Sequence, residues 1–350
     1  MIYPEFPGYG DVIGVCAPSA GVGHKLDSYE ASVRVLEKNG WRVHETAGVR
    51  LDDLRGGSAR ERADELHQLF EASDVKFVMA ASGGDFLDEM LPYVNWEILK
   101  KHPKWLMGAS DPTGLLYPLT TICDIATIYG SNAGSFDVLD ERYAASSAAD
   151  GQTAIPAASQ QWDYLRRTLH IISGDIQKQR TWDRRLQKAP FLSDSAVFDE
   201  DNSCRDNTGG TYSARGRCIG GCIDVLKDLM GTPFDGTHQF LSRYKNDGII
   251  WYFDNFALSA EVFYRTLLQM RFAGWFEEGV TKAVLIGRTA IPSSDTGMTY
   301  EEAVQLAMGD LPVIWDADVG HMIPHFTMIN GAMLNLTLQE GKAELEFELV

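Results

Sequence analysis

Three stretches of the chain carry residue types that could together break an acyl bond. In "PKWLMGASDPTGLL", residues 103–116, an apolar run stops at Gly108 and Ser110 follows two small residues. A serine just before a helix is usually an N-cap, and spacing alone favours that reading. The alternative is a nucleophile on a tight strand-to-helix turn. Gly108 and Ala109 suit a crowded bend, and the main-chain N–H of Asp111 would open the helix beside the serine as an oxyanion donor. The pattern Gly-Ala-Ser-Asp-Pro lacks the second glycine of G-x-S-x-G, so that motif is not matched. A serine nucleophile needs a base, and the base needs a group to orient it. Of eight histidines, His321 in "DADVGHMIPH" follows a strand and a glycine, where a loop would present it; His325 is a nearby competitor. Asp254 ends the very apolar run "GIIWYFDNF". A carboxylate there is partly desolvated, as an orienting acid should be, although a strand-end cap is the simpler reading. Gly83 and Gly84 in "MAASGGDF" free main-chain N–H groups for a phosphate or an oxyanion. Neither G-x-G-x-x-G nor G-x-x-x-x-G-K-[ST] is present, and spacing does not decide between the two uses.

The elements around these residues alternate. Over the first 135 residues, apolar runs such as "DVIGVCAPSA", "VKFVMAASGG", "KWLMGAS" and "IATIYGSNAG" are separated by amphipathic helical stretches such as "KLDSYEASVRVLEKNG" and "RERADELHQLFEAS". Strands alternating with helices imply a parallel sheet covered on both faces. Ligands of such sheets bind outside the carboxyl ends of the strands. The loops "APSAG", "ASGGD", "GASDPT" and "YGSNAG" all follow strands and are therefore expected on that one edge. From about residue 144 to 211 the pattern weakens into small and polar stretches, the expected connection between domains. Beyond it the chain is mixed and richer in strands, ending in "AMLNLTLQEGKAELEFEL", a hairpin with its turn at Glu340-Gly341.

Composition excludes several classes. The chain has 350 residues and a net charge of -18, which repels nucleic-acid phosphates and anionic membranes. No basic stripe reverses this. The N-terminus has no basic start followed by a long apolar stretch, so it does not read as a secretory signal. No window reaches the roughly eighteen uninterrupted apolar residues of a membrane helix. The expected compartment is the cytoplasm. Five scattered cysteines argue against a disulfide framework. Cys218 and Cys222 lack a second Cys/His pair with ligand spacing, so incidental thiols are the better reading and no metal is expected.

In order along the chain these stretches resemble one family, the LD-carboxypeptidases, serine peptidases that include the microcin C immunity peptidases. "VCAPSA" resembles the family's first strand and loop. "ASGGDFLDEMLPYVNWEILKKHPKWLMGASDPTGLL" resembles its central block with the nucleophile turn. "IGGCIDVLKDLMGTPF", "GIIWYFDNF" and "VGHMIPHFTMINGA" resemble its later blocks. The resemblance implies an α/β protein: an N-terminal Rossmann-like parallel-sheet domain over 1–165, a connection and variable loop over 166–210, and a β-rich mixed C-terminal domain over 211–350. It implies a triad of Ser110 as nucleophile, Asp254 as acid and His321 as base. It implies an oxyanion hole from the N–H groups of Gly84 and Asp111, no cofactor, no metal, and a homodimer. Three positions depart from the family pattern: Asp254 stands where glutamate is usual, Cys222 where asparagine is common, and Asn330 interrupts a Pro-Gly.

The function expected from this resemblance is hydrolysis of an amide bond near the C-terminus of a muropeptide. The alternatives are hydrolysis of a microcin C-type aminoacyl nucleotide and an inactive ligand-binding homologue; fold class alone also suggests a nucleotide-binding oxidoreductase or transferase. Candidate substrate contacts are Gly83, Asp85, Trp182 and Arg288. Trp182 and Tyr212 could stack on a nucleobase, and Arg288 could meet a terminal carboxylate.

Overall fold

Short runs that are apolar on both sides fold here as central strands, and the amphipathic stretches between them as covering helices. The computed structural model describes residues 1–149, 156–187, 189, 198–199 and 203–350. The chain divides into two compact units, Met1–Gln177 and Lys178–Val350. The division falls inside the 166–210 stretch expected as the connection, part of which lies outside the described residues.

The first unit runs β1 (Val12–Cys16), α1 (Leu26–Lys38), β2 (Arg42–Glu45), α2 (Ala59–Glu71), β3 (Val75–Ala80), α3 (Trp96–Lys101), β4 (Trp105–Gly108), α4 (Thr113–Thr121), β5 (Thr127–Tyr129), α5 (Glu141–Ala149) and α6 (Asp163–Ile172). Its strands lie in the order β5-β4-β3-β1-β2 and every pairing among them is parallel. β1 and β4 are buried along their whole length, which is why their sequences do not alternate. α1 buries Tyr29, Ala31, Ser32, Val35 and Leu36 on one face. α2 starts in a capping box, with Ser58 accepting from the Glu61 N–H and Glu61 reaching back to Ser58, a device that contributes about 1 kcal/mol.

The second unit runs β6 (Gln179–Arg180), β7 (Arg185–Leu186), β8 (Phe198–Asp199), β9 (Arg205–Asp206), β10 (Thr211–Cys222), α7 (Ile223–Leu229), α8 (Thr237–Tyr244), β11 (Ile249–Asp254), α9 (Ala260–Phe272), β12 (Thr281–Gly287), α10 (Tyr300–Met308), β13 (Val313–Ala317), β14 (Met328–Asn330), β15 (Met333–Gln339) and β16 (Lys342–Glu348). An eight-stranded sheet has the order β6-β16-β15-β10-β11-β12-β13-β9. Its centre, β10 to β13, is parallel, and its flanks are antiparallel. The terminal hairpin turns at Glu340 (φ 50°) and Gly341 (φ 74°), the left-handed pair that a two-residue hairpin loop requires. β11 is buried at all six positions, and its Trp251 stacks on Trp275 with ring centroids 5.4 Å apart. The parallel centre leaves the ends of β10, β11, β12 and β13 on one edge, with Cys222 beside Asp254 and Gly287 beside Ala317.

Candidate active site

In the first unit the four loops expected together do meet. The side chain of Asn132, after β5, accepts from the Ala109 N–H at 2.9 Å and donates to the Ala109 carbonyl at 3.3 Å. The Gly134 N–H donates to Ala81 O at 3.2 Å. A Cβ on Gly84 would lie 3.0 Å from Ser19 Cβ, and one on Gly83 would lie 3.0 Å from Ser110 Cβ and 3.3 Å from Ser110 Oγ. The glycine that packs against Ser110 is thus Gly83, while Gly84 packs against the loop after β1.

Ser110 is not the N-cap that its spacing suggested. α4 begins at Thr113 with Pro112 as N-cap and no side-chain cap bond. Ser110 instead sits in the left-handed region, φ 69°, a strained setting for a residue with a Cβ. Its N–H donates to the Tyr129 hydroxyl at 3.2 Å, and its carbonyl accepts from the Thr113 N–H at 2.9 Å. The crowding is real: a Cβ at Gly108 would lie 2.7 Å from Pro112 Cβ and 3.1 Å from Ala80 Cβ. This sharp turn between β4 and α4 has the backbone geometry of a nucleophile elbow. Asp111 turns its carboxylate inward. It is buried and accepts from the Leu87 N–H at 3.0 Å. Burial pushes its carboxyl pKa up against the pull of that bond. Asp85 is exposed.

In the second unit Asp254 and His321 form a close pair. Asp254 ends β11 and is fully buried. Its Oδ2 lies 2.7 Å from His321 Nδ1, and its Oδ1 accepts the His321 main-chain N–H at 3.2 Å. Both carboxylate oxygens therefore hold one residue, the ring through Nδ1 and the backbone through its N–H. The missing methylene is made up by the backbone. At Gly320 (φ +98°) a Cβ would fall 1.8 Å from Asp254 Oδ1, so only glycine lets the loop come this near. Burial pushes the His321 pKa down, but the Asp254 charge and hydrogen bond outweigh it, and the net shift is upward. Phe256 packs on the imidazole with ring centroids 4.6 Å apart. The competitor, His325, is half-buried with Nδ1 3.2 Å from Phe326 O, and desolvation lowers its pKa to about 4.

Two carboxylates that the sequence reading missed support this pair. Asp224, at the start of α7, accepts the N–H groups of Phe256 at 2.9 Å and Ala257 at 3.0 Å, pinning the turn that follows Asp254. Asp318, fully buried, accepts from Arg185 Nε at 2.7 Å and from the Trp182 N–H at 3.1 Å. Arg288, read as a contact for a substrate carboxylate, turns Nη1 and Nη2 to internal acceptors, while its buried Nε has no hydrogen-bond partner among the described residues. It reaches Asp318 at 3.5 Å and donates to the carbonyls of Leu186 (2.9 Å), Ile323 (3.3 Å) and Pro324 (3.4 Å). It braces the loop after His321 from within. Trp182 is half-buried, with its ring 5.5 Å from that of Phe326. Tyr212 gives its hydroxyl to the Lys282 carbonyl at 2.5 Å. The departures from the family pattern are also accommodated inside. Cys222 is buried with its Sγ 3.6 Å from Asp224 Oδ2. Asn330 Oδ1 accepts the Gly220 N–H at 3.1 Å and the Tyr252 hydroxyl at 2.9 Å. All five cysteines are buried, and none is in a disulfide. Among the described residues no three His, Cys, Asp or Glu side chains converge as metal ligands, and no helix is long and apolar enough to cross a membrane.

The chain is similar to known proteins along most of its length. Residues 13–130 match the LD-carboxypeptidase N-terminal domain and residues 215–336 the LD-carboxypeptidase C-terminal domain. A Vibrio cholerae protein that bears a carboxypeptidase name is 25% identical over 334 residues, covering 93% of this chain and 91% of its own. The microcin C7 self-immunity protein MccF of Escherichia coli is 29% identical over 123 residues, 35% of this chain and 36% of its own. The structure of MccF in complex with aspartyl sulfamoyl adenosine superposes over 100% of this chain and 99% of its own, with a TM-score of 0.77 at 18% identity. The muramoyltetrapeptide carboxypeptidase of Oxalobacter formigenes superposes over 97% of this chain and 99% of its own, with a TM-score of 0.68 at 19% identity. Two domain matches, the first spanning the serine turn and the second the aspartate–histidine pair, make one assignment: the chain belongs to the LD-carboxypeptidase family.

Proposed function

We propose that this protein is a serine hydrolase that cleaves an amide bond near the C-terminus of a muropeptide. Ser110 Oγ attacks the carbonyl. His321 Nε2 takes the serine proton and returns it to the leaving amine. Asp254 holds the imidazole through Nδ1 and stabilises the imidazolium that forms. The N–H groups of Asp111 and Gly84 are the proposed oxyanion donors. The observation that carries the reading is the Asp254 carboxylate, which engages both the ring Nδ1 and the main-chain N–H of His321. A strand-end cap needs no such pairing. The left-handed Ser110 supports it independently.

A second substrate reading rests on Trp182. Its ring is half-exposed and its main-chain N–H is held by buried Asp318, which presents a fixed aromatic face suited to a nucleobase. MccF has been solved with adenosine monophosphate, aspartyl sulfamoyl adenosine and glutamyl sulfamoyl guanosine. An aminoacyl nucleotide would present the same kind of scissile amide to Ser110.

The test combines labelling and turnover. A serine-reactive fluorophosphonate should modify Ser110 stoichiometrically, not label Ser110→Ala, and label His321→Ala at least about 10³-fold more slowly. Hydrolysis of a muramoyl tetrapeptide or of an aminoacyl sulfamoyl-adenosine then assigns the substrate. A folded protein that resists the label yet binds one of these compounds tightly is the inactive homologue, and the reading fails.

A further inference from the structure

The hydrolysis proposed above releases an amine, and both candidate substrates carry anionic oxygens close to the scissile nitrogen. In a peptide ending in D-alanine this group is the terminal carboxylate. In an aminoacyl sulfamate, whose acidic N–H is ionised at neutral pH, it is the sulfonyl group, which shares the charge of that nitrogen. A buried site that selects such a leaving group needs a cation, and Arg288 is already committed to Asp318 and three carbonyls.

Three cations of the first unit contact residues of the loops after β1 and β3, Pro18, Ser82 and Phe86. Arg62 is fully buried and turns Nη1 and Nη2 to Pro18 O (2.7 Å), Phe86 O (3.0 Å) and Glu89 (3.0 Å), while its Nε is enclosed in the interior without a hydrogen-bond partner among the described residues. Arg55 pairs with the same Glu89 at 3.0 Å and lies over the Phe86 ring. Lys25 differs. Its Nζ makes one long bond, 3.4 Å, to Ser82 Oγ, and no carboxylate lies within ion-pair distance of it among the described residues. The nearby Asp137 acts on Lys25 only through its charge. That carboxylate is occupied by Ser28 Oγ at 2.6 Å and the Val138 N–H at 2.9 Å. The Lys25 ammonium is partly buried, and burial lowers its pKa, which raises its gain from meeting an anion.

The loop that carries Lys25 is fixed in place. The Val22 N–H bonds to Val49 O at 2.8 Å and the Gly23 N–H to Leu51 O at 3.0 Å. A Cβ at Gly21 would fall 2.3 Å from Leu51 O, so the loop lies directly on its neighbour. The spacing also fits. Lys25 touches Ser82, and the next residue, Gly83, packs against Ser110. Consecutive residues are about 3.8 Å apart, and a peptide's scissile carbonyl and its terminal carboxylate are likewise separated by one residue.

We propose that Lys25 is the specificity residue that binds the anionic group of the leaving amine, on the strength of its single weak partner and its one-residue offset from the glycine that abuts Ser110. The proposal rests on Ser110 being the nucleophile. It restricts the substrates to amides whose leaving nitrogen is flanked by a carboxylate or by sulfonyl or phosphoryl oxygens.

Wild type, Lys25→Met and Lys25→Arg are each titrated with fluorophosphonate to count competent Ser110. Their kcat/KM is then compared on three compounds: a muramoyl tetrapeptide ending in D-alanine, the same peptide ending in D-alaninamide, and an aminoacyl sulfamoyl-adenosine. Lys25→Met should lose about 10- to 100-fold on the anionic substrate that wild type cuts, the range expected when a hydrogen bond to a charged group is removed. Lys25→Arg should recover most of that loss. On the D-alaninamide peptide all three proteins should be equally slow. Selective loss on the peptide identifies a carboxylate as the anion, and selective loss on the sulfamate identifies the sulfonyl group. An undiminished rate in Lys25→Met, or an equal loss on the neutral peptide, overturns the role of Lys25 and leaves the hydrolase reading standing. A wild type that cuts none of the three overturns that reading, and this inference with it.

Discussion

At the scale of the residue, the decisive contact is Asp254 on His321. Aspartate is one methylene shorter than the glutamate usual in the family, yet it reaches the ring at 2.7 Å because β11 ends beside a loop that Gly320 brings close. The electrostatics give a sign. The His321 pKa is raised above its ordinary 6.5, and the proposed base works only when neutral. The rate of Ser110 labelling should therefore climb with pH on a limb centred above 6.5. Asp254→Asn should slow labelling about 10⁴-fold and move that limb to lower pH, because the group that favours the imidazolium is gone. A limb unmoved by the substitution would show that Asp254 does not set the base. The same shift bears on stability. A histidine whose pKa is raised by folding contributes fully below its unfolded value of about 6.5, and the contribution is lost as pH rises through the folded value. His321→Ala should accordingly cost more in urea denaturation at pH 6 than at pH 9. Equal costs at the two values would contradict the pairing.

At the scale of the element, strand ends and the glycines beside them position the chemistry. Gly320→Ala would place a Cβ 1.8 Å from Asp254 Oδ1 at φ +98°. It should cost on the order of 2–4 kcal/mol and abolish labelling. Gly231→Ala is the control. Its φ is +74° and nothing lies within 4 Å of the added Cβ, so backbone strain alone should cost about 1 kcal/mol and leave labelling intact. If the two variants behave alike, the close approach at Gly320 has no special role. The buried Arg185–Asp318 pair works in the same way, tying the segment around Trp182 to the loop after β13. Arg185→Ala leaves a buried carboxylate with the Trp182 N–H and, as its remaining cation, the more distant Arg288, and should lower stability by about 3 kcal/mol, read from the urea midpoint.

At the scale of the whole molecule, charge dominates. A net charge of -18 makes self-repulsion a standing cost at neutral pH. The carboxyl groups of Asp111, Asp137, Asp224 and Asp318 have pKa values raised by burial. A raised carboxyl pKa means that the native state gains relative stability as pH falls toward that value. Depressed groups such as Asp53, Asp140 and Glu344 lose their contribution only as pH falls through the ordinary carboxylate range and below. His325, whose pKa desolvation lowers to about 4, works the other way, because the unfolded chain takes up its proton near 6.5 and the native state does not. Screening of the self-repulsion by 0.5 M NaCl should raise the denaturation midpoint at pH 8. A midpoint that the salt leaves unchanged or lowers would refute this balance. The homodimer that the family resemblance implies is a separate proposal, which light scattering on the eluting protein tests directly.

Much of this protein was legible before any coordinates. Apolar runs alternating with amphipathic ones determined the parallel sheet of the first unit, because period and burial are local properties of the chain. Glu340-Gly341 determined the hairpin turn because few residue pairs adopt φ > 0 twice. Loops that follow parallel strands had to share one edge, and they do. What the sequence left open were contacts between segments far apart in the chain. Ser110 read as a cap from its neighbours, but its left-handed backbone depends on Ala80, Tyr129 and Asn132, which belong to other strands and loops. Arg288 read as a free cation until the fold placed it against Asp318. Lys25 read as the start of a helix until the fold brought it to Ser82, 57 residues away. Local sequence sets conformation over a few residues. Which side chain meets which charge is decided by the order and register of the strands that carry them.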